Sequence, residues 1–420
     1  VTGTRIRVLD TDTWLTSTMY YNEKGRVSQT ITDNASGGMD INTTRYDFNG
    51  KVVSTYLRHK NPRSGLTPQT TVLTSMIYND QARLIEVKKQ VNDNPTLIRT
   101  IARNEYDELG QLKTKELGIN GGGAPLERLS YEYNVRGWLK SISKDYVNGS
   151  GAGSHFGQEL NYDYGFQNSS FNGNISGIRW KGWNDPKQRA YGYAYDQVNR
   201  LTGAEFSQQN APGASWTKDQ VDFTVSQLNY DANGNITSMA QRGQLNGAPA
   251  NVDNMTYTYQ DNSNKLSSVY DAVQLKTGLG DFTNGAANTV DYDYDPNGNL
   301  KRDGNKDITS ITYNHLNLPQ EILIKDKGSI RYQYDASGNK VRKTVTDITV
   351  APSKVTTTDY IAGFAYQNDT LQYIPQEEGR VRVVYKPNQP VEFFYDYFVK
   401  DHLGNTRLVL TEQQDLSVYT

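Results

Sequence analysis

The residues of this sequence that could perform acid–base or metal chemistry are few and widely spaced. Asp396 and Asp401 are the best candidates for a catalytic pair, which requires two nearby carboxylates with different pKa values. The histidines are dispersed and lack the short spacing of a zinc or metalloprotease motif: His59, His155, His315 and His402. The sequence therefore predicts no metal site, no cofactor and no catalytic residue.

Two further chemical patterns are also weak. Carboxylates alternate with tyrosines from Asp291 to Asp295, but the segment lacks the EF-hand pattern, and alternation places these carboxylates on the solvent face of a strand. The sequence contains no phosphate-binding loop, no dinucleotide fingerprint and no nucleophile elbow. We therefore expect that this chain is not an enzyme.

The dominant pattern is a recurring unit of Tyr, Asp or Asn, two variable residues, Gly, a polar residue and an aliphatic residue. Variant copies carry Ala82, Asn199 or Asn317 at the glycine position, and Tyr259 begins a copy with one inserted residue. The glycines of the unit are Gly25, Gly50, Gly110, Gly137, Gly234, Gly298 and Gly338, where Lys340 replaces the aliphatic residue of the last copy.

Each copy predicts one antiparallel β-hairpin. A strand ends at Tyr, the Asp or Asn side chain bonds to the turn backbone, Gly takes the left-handed conformation, and a second strand begins at the aliphatic residue. The flanking segments show tyrosines at period two, as at Tyr191 and Tyr193, which is typical of strands. The predicted fold is therefore all-β, with antiparallel hairpins forming a long curved sheet.

Composition limits the partners. The chain has 420 residues, too many for one compact core, and we see no clear domain boundary in it. The formal net charge is −2 without a basic block, which argues against nucleic acid, and no apolar run could insert into a membrane. There are no cysteines, so stability must come from strand pairing and packing.

The hairpin unit resembles the YD repeat of the RHS family, which includes toxin-complex subunits and teneurins. The segment from Asp396 to Val409 is similar to the signature of the RHS-associated core domain, with its D-x-x-G-x-x-R element at Asp401, Gly404 and Arg407. The amino-acid sequence of other segments is similar to that of RHS proteins from Bacteroidetes. The resemblance implies a YD-repeat region over 1–390 and the start of the core motif over 391–420.

The same resemblance implies a structural function. Relatives build a spiral shell, or cocoon, around a C-terminal toxin, so we expect a scaffold whose partners are its own effector or other cargo, and the secretion machinery. The toxin and its cleavage segment are expected after Thr420, and the protein is expected to be secreted or at the bacterial cell surface. We expect Asp401 and Arg407 to form a charge pair that braces the turn at Gly404.

Two alternatives remain open from the sequence. An extracellular adhesion or glycan-binding module is favoured by surface aromatic residues such as Trp180 and Trp183, because flat rings stack on sugar faces. A polysaccharide-cleaving enzyme on a β-scaffold would use clustered carboxylates as acid and base.

Overall fold

The computed structural model confirms the all-β class and the antiparallel hairpins. Its described residues are 2–119, 121, 123–151, 153–185, 187–274, 282–284 and 290–413. The last seven residues of the expected 391–420 segment, 414–420, lie outside them. The chain divides into two compact units, one formed by Val1–Leu129, Tyr313–Glu321 and Asp326–Thr420, the other by Ser130–Thr312 and Ile322–Lys325.

The first unit contains two antiparallel sheets. In the N-terminal sheet, each strand pairs with the next one in the chain: β1 (Gly3–Arg7), β2 (Trp14–Tyr21), β3 (Val27–Asp33), β4 (Met39–Tyr46), β5 (Val52–Lys60), β6 (Gln69–Tyr78), β7 (Leu84–Val91), β8 (Arg99–Tyr106) and β9 (Leu112–Ile119). A short 3-10 helix, Pro95–Leu97, precedes β8.

Three strands cross the boundaries between units: β10 (Pro125–Tyr133), β23 (Ile308–Tyr313) and β24 (Pro319–Ile324). Strands of the second unit are β11 (Leu139–Ile142), β12 (Phe156–Asn161), β13 (Gly177–Gly182), β14 (Arg189–Tyr195), β15 (Leu201–Gln209), β16 (Trp216–Thr217), β17 (Val225–Tyr230), β18 (Ile236–Leu245), β19 (Ala248–Tyr259), β20 (Leu266–Asp271), β21 (Tyr292–Tyr294) and β22 (Leu300–Asp303). This unit also contains the helix α1 (Lys144–Val147) and the 3-10 helix Gly304–Lys306.

The C-terminal sheet of the first unit contains β25 (Gly328–Tyr334), β26 (Lys340–Asp347), β27 (Lys354–Ile361), β28 (Phe364–Gln367), β29 (Thr370–Gln376), β30 (Gly379–Val384), β31 (Glu392–Lys400) and β32 (Thr406–Thr411). Its strands also pair in chain order. The two sheets of this unit meet where Val8 bridges Asp335 and the Leu9 amide donates to the Tyr334 carbonyl at 2.8 Å.

The turns share one geometry, shown by the copy at Asp47. Its amide donates to the Lys51 carbonyl at 2.9 Å, its Oδ1 accepts the Lys51 amide at 2.8 Å, and the Gly50 amide donates to the Asp47 carbonyl at 3.2 Å. Gly50 has φ +95°, in the region that L side chains avoid. The seven glycines named above all have positive φ, and so do Ala82, Asn199 and Asn317 at the same position.

Tyrosines at the ends of many strands link a hairpin to the one before it. The Tyr46 hydroxyl donates to the carbonyl of Val27, the aliphatic residue of the previous copy, at 2.8 Å. The same bond recurs at 2.7–3.0 Å between further pairs: Tyr78 and Val52, Tyr106 and Leu84, Tyr162 and Leu139, Tyr195 and Ile175, Tyr230 and Leu201, Tyr259 and Ile236, Tyr294 and Leu266, and Tyr334 and Pro319. We call this series the tyrosine ladder.

A basic residue of the preceding copy covers many of the ladder rings. Arg26 lies over the Tyr46 ring at 5.7 Å and Arg200 over the Tyr230 ring at 4.6 Å. Lys51, Arg83 and Lys265 take the same place over Tyr78, Tyr106 and Tyr294. The Tyr of the repeat therefore serves two purposes, a hydrogen bond through its hydroxyl and a cation–π contact through its ring.

The second unit has its own aromatic core. Trp180 on β13 stacks on Tyr191 at 5.5 Å, and Phe206 meets Tyr191 edge to face at 5.4 Å. Phe223 in turn packs edge to face on Phe206 at 5.2 Å. These large rings bury apolar area beside aliphatic core residues such as Ile178 and Leu228. Within the described ranges, no helix is long and apolar enough to span a membrane.

Candidate functional site

The signature turn, Asp401–Arg407, has the same backbone as the repeat turns. The Asp401 amide donates to the Asn405 carbonyl at 2.9 Å, and the Gly404 amide donates to the Asp401 carbonyl at 3.0 Å. Gly404 has φ +85°, and Lys400 pairs with Thr406 as Tyr46 pairs with Val52 in the copy at Asp47. The signature is therefore a repeat turn in which Lys400 stands where the other copies have tyrosine.

Asp401 is the center of this turn. Its Oδ1 accepts the amides of Leu403 and Asn405 at 2.9 Å each, while the Arg407 guanidinium lies 2.7–2.8 Å from Oδ2. Burial alone would raise the pKa of Asp401, but the hydrogen bonds from Asn405, Leu403 and Arg407 outweigh it and hold this pKa below its ordinary value. Asp401 is thus an ionised structural anchor near neutral pH.

Asp396 is separated from Asp401 and has its own partners. It is 1% exposed on β31, and its Oδ2 accepts the Nε–H groups of Arg380 at 2.9 Å and Arg382 at 3.1 Å. Asp401 follows Asp396 by five positions along this extended segment, a distance of roughly 16 Å. The structure does not bring them together as an acid–base pair, since catalytic carboxylates must lie close enough to share a proton or flank one bond.

The strand that leads into the signature turn packs against the N-terminal sheet of the same unit. Tyr395 and Tyr397 on β31 are fully buried, and the Tyr395 hydroxyl donates to the Leu97 carbonyl at 2.9 Å. Arg99 bonds Glu412 at 2.7 Å, and the Glu412 carboxylate also accepts the Tyr397 hydroxyl at 3.1 Å. We call these residues, Leu97, Arg99, Tyr395, Tyr397 and Glu412, the seam.

The seam is closely packed, and its two tyrosines are buried. Gly118 on β9 has φ +66°, and a Cβ there would lie 2.9 Å from the Tyr397 ring, so a side chain at this position would collide with it. Burial raises the pKa of Tyr395 and of Tyr397, and the nearby Glu412 carboxylate raises both further. Both hydroxyls therefore remain protonated donors at physiological pH.

Two more ion pairs flank the seam. Lys115 on β9 lies 2.6 Å from Glu378, and Lys89 on β7 lies 3.1 Å from Glu377. Neither these pairs nor the seam could be found from the sequence, because the partners are far apart in the chain and carry no recurring spacing. The burial of Tyr395 and Tyr397 had one sequence signal, their period-two spacing on a predicted strand.

A buried polar cluster forms a second contact between the two sheets of the first unit. His59 is 0% exposed, its Nδ1 hydrogen-bonds the Asp40 carboxylate, and its Nε2 lies 2.9 Å from the Tyr366 hydroxyl. The His59 ring also stacks on Phe364 at 4.2 Å. Burial raises the pKa of Tyr366. The sequence placed His59 among dispersed histidines, and the structure gives it these partners.

The remaining candidate residues are held in structural contacts. Trp180 belongs to the aromatic core of the second unit, whereas Trp183 is 61% exposed and its ring contacts His155 at 4.7 Å. Asp291 is buried and accepts the Val269 amide at 2.9 Å, so the expectation that it faces solvent is wrong. No group of three or more metal-ligating side chains occurs in the part of the chain that the structure describes.

Comparisons with known proteins give matches among solved structures. No protein-family model matches the chain, and no curated protein matches its sequence. The crystal structure of TcdB2-TccC3-TEV aligns at 14% identity with a TM-score of 0.37, over 94% of this chain and 23% of that chain. The Photorhabdus luminescens Tc holotoxin pore aligns at 13% identity with a TM-score of 0.24, over 96% and 27%.

A porin-like protein from Bacteroides uniformis aligns at 10% identity with a TM-score of 0.17, over 86% of this chain and 92% of that chain. The likeness to the two Tc structures covers nearly all of this chain, which spans about a quarter of their length.

Proposed function

We propose that this chain is a wall-forming scaffold of a secreted RHS-type protein, and that it encloses or presents an effector encoded downstream of it. The observation that carries the proposal is that the tyrosine ladder and the seam occur together in one compact unit. Ladder turns stack hairpin on hairpin, and the strand before the signature turn is buried against the N-terminal hairpins through the seam.

The chemistry of the signature turn supports a structural role. Arg407 neutralises the Asp401 carboxylate, and Arg380 with Arg382 neutralises Asp396. The pKa of Asp401 is held below its ordinary value by the hydrogen bonds of its turn, which makes this carboxyl a poor general acid near neutral pH. The proposal therefore assigns no catalytic step to these residues.

The proposed partner is a cargo segment of the same polypeptide, and the proposed location is outside the bacterial cell. The resemblance of the Asp401, Gly404 and Arg407 element to the RHS core signature motivates both assignments. In this proposal the seam matters because it fixes the signature strand, and with it the start of any following segment, against the N-terminal hairpins.

The test uses the full-length product that contains these residues. Limited proteolysis followed by mass spectrometry would map cleavage after residue 420 in the wild type, in Tyr395→Ala and in the control Tyr20→Ala, whose side chain is about half exposed. Tyr395→Ala removes a buried ring and its bond to Leu97, which we expect to cost about 3–5 kcal/mol and to open the seam.

We expect the downstream segment to resist protease in the wild type and in the Tyr20 variant, and to be cut in the Tyr395 variant. Equal and rapid cleavage in all three proteins would contradict an enclosing role. Equal resistance in all three would contradict the part assigned to the seam.

A further inference from the structure

A cleft of about 870 Å³ lies within the first unit, between the faces of its two sheets. This volume falls in the range of about 300–1,000 Å³ that is typical of small-molecule sites. One wall is formed by β3 to β6 and the other by the hairpins of β26 to β29. Ala362, Gly363 and Pro375 are exposed at its rim, so the cleft is accessible from solvent.

The N-terminal wall presents neutral polar groups beside three aliphatic side chains, those of Leu15, Leu57 and Val72. Thr30 pairs with Asn42 across β3 and β4, and Thr55 pairs with Thr74 across β5 and β6, so these side chains lie on the same sheet face. The structure gives none of the four a side-chain hydrogen-bond partner among its described residues. Over four strands spaced about 4.8 Å apart, this polar wall extends roughly 14 Å.

The opposite wall is apolar. Ile361, Phe364 and Ile374 are buried and line the cleft, and Pro375 extends the surface to the rim. Tyr360 adds an aromatic ring that the Lys340 ammonium covers at 4.7 Å. A ligand in this cleft would therefore meet hydroxyl, amide and aliphatic groups on one side and mainly apolar side chains on the other.

The charged residues of the lining already have partners. Asp33 accepts the Thr16 amide, Asp40 bonds His59, and Asp335 holds its own turn through Asn339. Lys89 pairs with Glu377, and Lys340 lies over its tyrosine ring. The groups left to bind a ligand are hydroxyls and one amide, which suit a neutral ligand rather than an ion.

The backbone hydrogen-bonding groups of the N-terminal wall are already used in strand pairing. The strands β3, β4, β5 and β6 each have a paired neighbour on both sides, so a peptide cannot add to them as a further strand. A carbohydrate fits the two walls, because its hydroxyl groups donate and accept hydrogen bonds while its C–H faces pack on apolar and aromatic surfaces.

We propose that this cleft binds a short neutral oligosaccharide, with Thr30, Asn42, Thr55 and Thr74 contacting its hydroxyl groups and Tyr360 and Pro375 on the opposite wall contacting its ring faces. This site is distinct from the exposed tryptophan suggested by the sequence, and it does not depend on the scaffold role.

The test is a titration of the whole chain with four neutral disaccharides: maltose, cellobiose, lactose and diacetylchitobiose. Saturation-transfer NMR would detect binding, and calorimetry would measure it. The variants Asn42→Leu and Thr55→Val keep the side-chain size and remove the polar groups. Thr18→Val is the matched control, because Thr18 pairs with Ile31 and lies on the opposite face of the same sheet.

We expect saturable binding of at least one disaccharide, weakened about tenfold or more in each cleft variant and unchanged in the control, since each variant leaves a ligand hydroxyl unpaired. Urea unfolding curves of the variants confirm that the fold is retained, and two independent variants keep the test decisive if one is unstable. The absence of saturable binding of all four sugars, or equal binding in the cleft variants and the control, would overturn the proposal.

Discussion

The tyrosine ladder makes a quantitative prediction about the stability of the N-terminal sheet. Tyr46, Tyr78 and Tyr106 each donate one hydroxyl hydrogen bond to a carbonyl of the preceding hairpin at 2.8–3.0 Å. Changing all three to Phe removes these bonds and keeps the rings, together with their cation–π contacts. Any change in stability then reports the hydroxyl groups alone.

The expected magnitude follows from the burial of these groups. Each side chain is partly buried, so losing one bond should cost about 1 kcal/mol. Successive ladder bonds lie two strands apart, about 9.6 Å, and should act independently. We therefore expect the triple variant to lose about 3 kcal/mol, which corresponds to a loss of amide-exchange protection of about 100-fold.

Hydrogen exchange followed by mass spectrometry is the suitable assay, because a chain of two units need not unfold in one step. The control is Tyr20→Phe, whose hydroxyl has no partner among the described residues and whose side chain is 49% exposed. We expect the control to change stability by less than about 0.5 kcal/mol. If the triple variant matched the control, water would replace the hydroxyls at no cost, and the stabilising role of the ladder would be refuted.

Three further predictions concern the turns and the second unit. Gly298→Val should cost about 1–2 kcal/mol more than Gly298→Asn in urea unfolding, because φ is +88° while a Cβ there would make only an ordinary contact with the Lys265 side chain at 3.7 Å; equal losses would contradict this. Asp401→Ala should destabilise more than Arg407→Gln, since only the former removes the bonds to the turn amides, and exchange at the signature turn would show it. Burial raises the pKa of Tyr191 to about 12, which means that the folded state favours the neutral phenol. The stability that Tyr191 contributes to the folded state is therefore fully present below pH 10 and is lost as the pH rises towards 12. Alkaline titration of Tyr191→Phe should therefore show a smaller loss of stability than the wild type, and identical titration curves would count against this.

The sequence predicted the fold from local signals. The spacing from Tyr to Gly in each copy encodes a complete turn, because side-chain capping and a positive φ are decided within six residues. Hence Gly50 and Gly234 could be placed in turns without knowledge of the rest of the chain. The signature turn was harder to assign to the same series, since Lys400 replaces its tyrosine.

The sequence did not predict the contacts between sheets. Arg99 and Glu412 are separated by most of the chain, and neither residue type nor spacing marks them as partners. The same holds for His59, whose contact with Tyr366 depends on how two sheets pack. The cleft was also beyond prediction, because its threonines look like ordinary strand residues until the opposing wall is known.

The connections at the two ends of the strands in the N-terminal sheet differ in how much change in length they tolerate. At the end of the strands that carries the ladder, Tyr46, Tyr78 and Tyr106 each bond a carbonyl of the preceding hairpin, so a residue added to the strand before one of these tyrosines would displace that bond. At the opposite end of the strands, the connections differ in length and conformation: residues 34–38, 61–68 and 92–98. Insertions and deletions among natural variants should therefore accumulate in the connections at this opposite end, and the exposed segment 92–96 is the place to graft a reporter peptide.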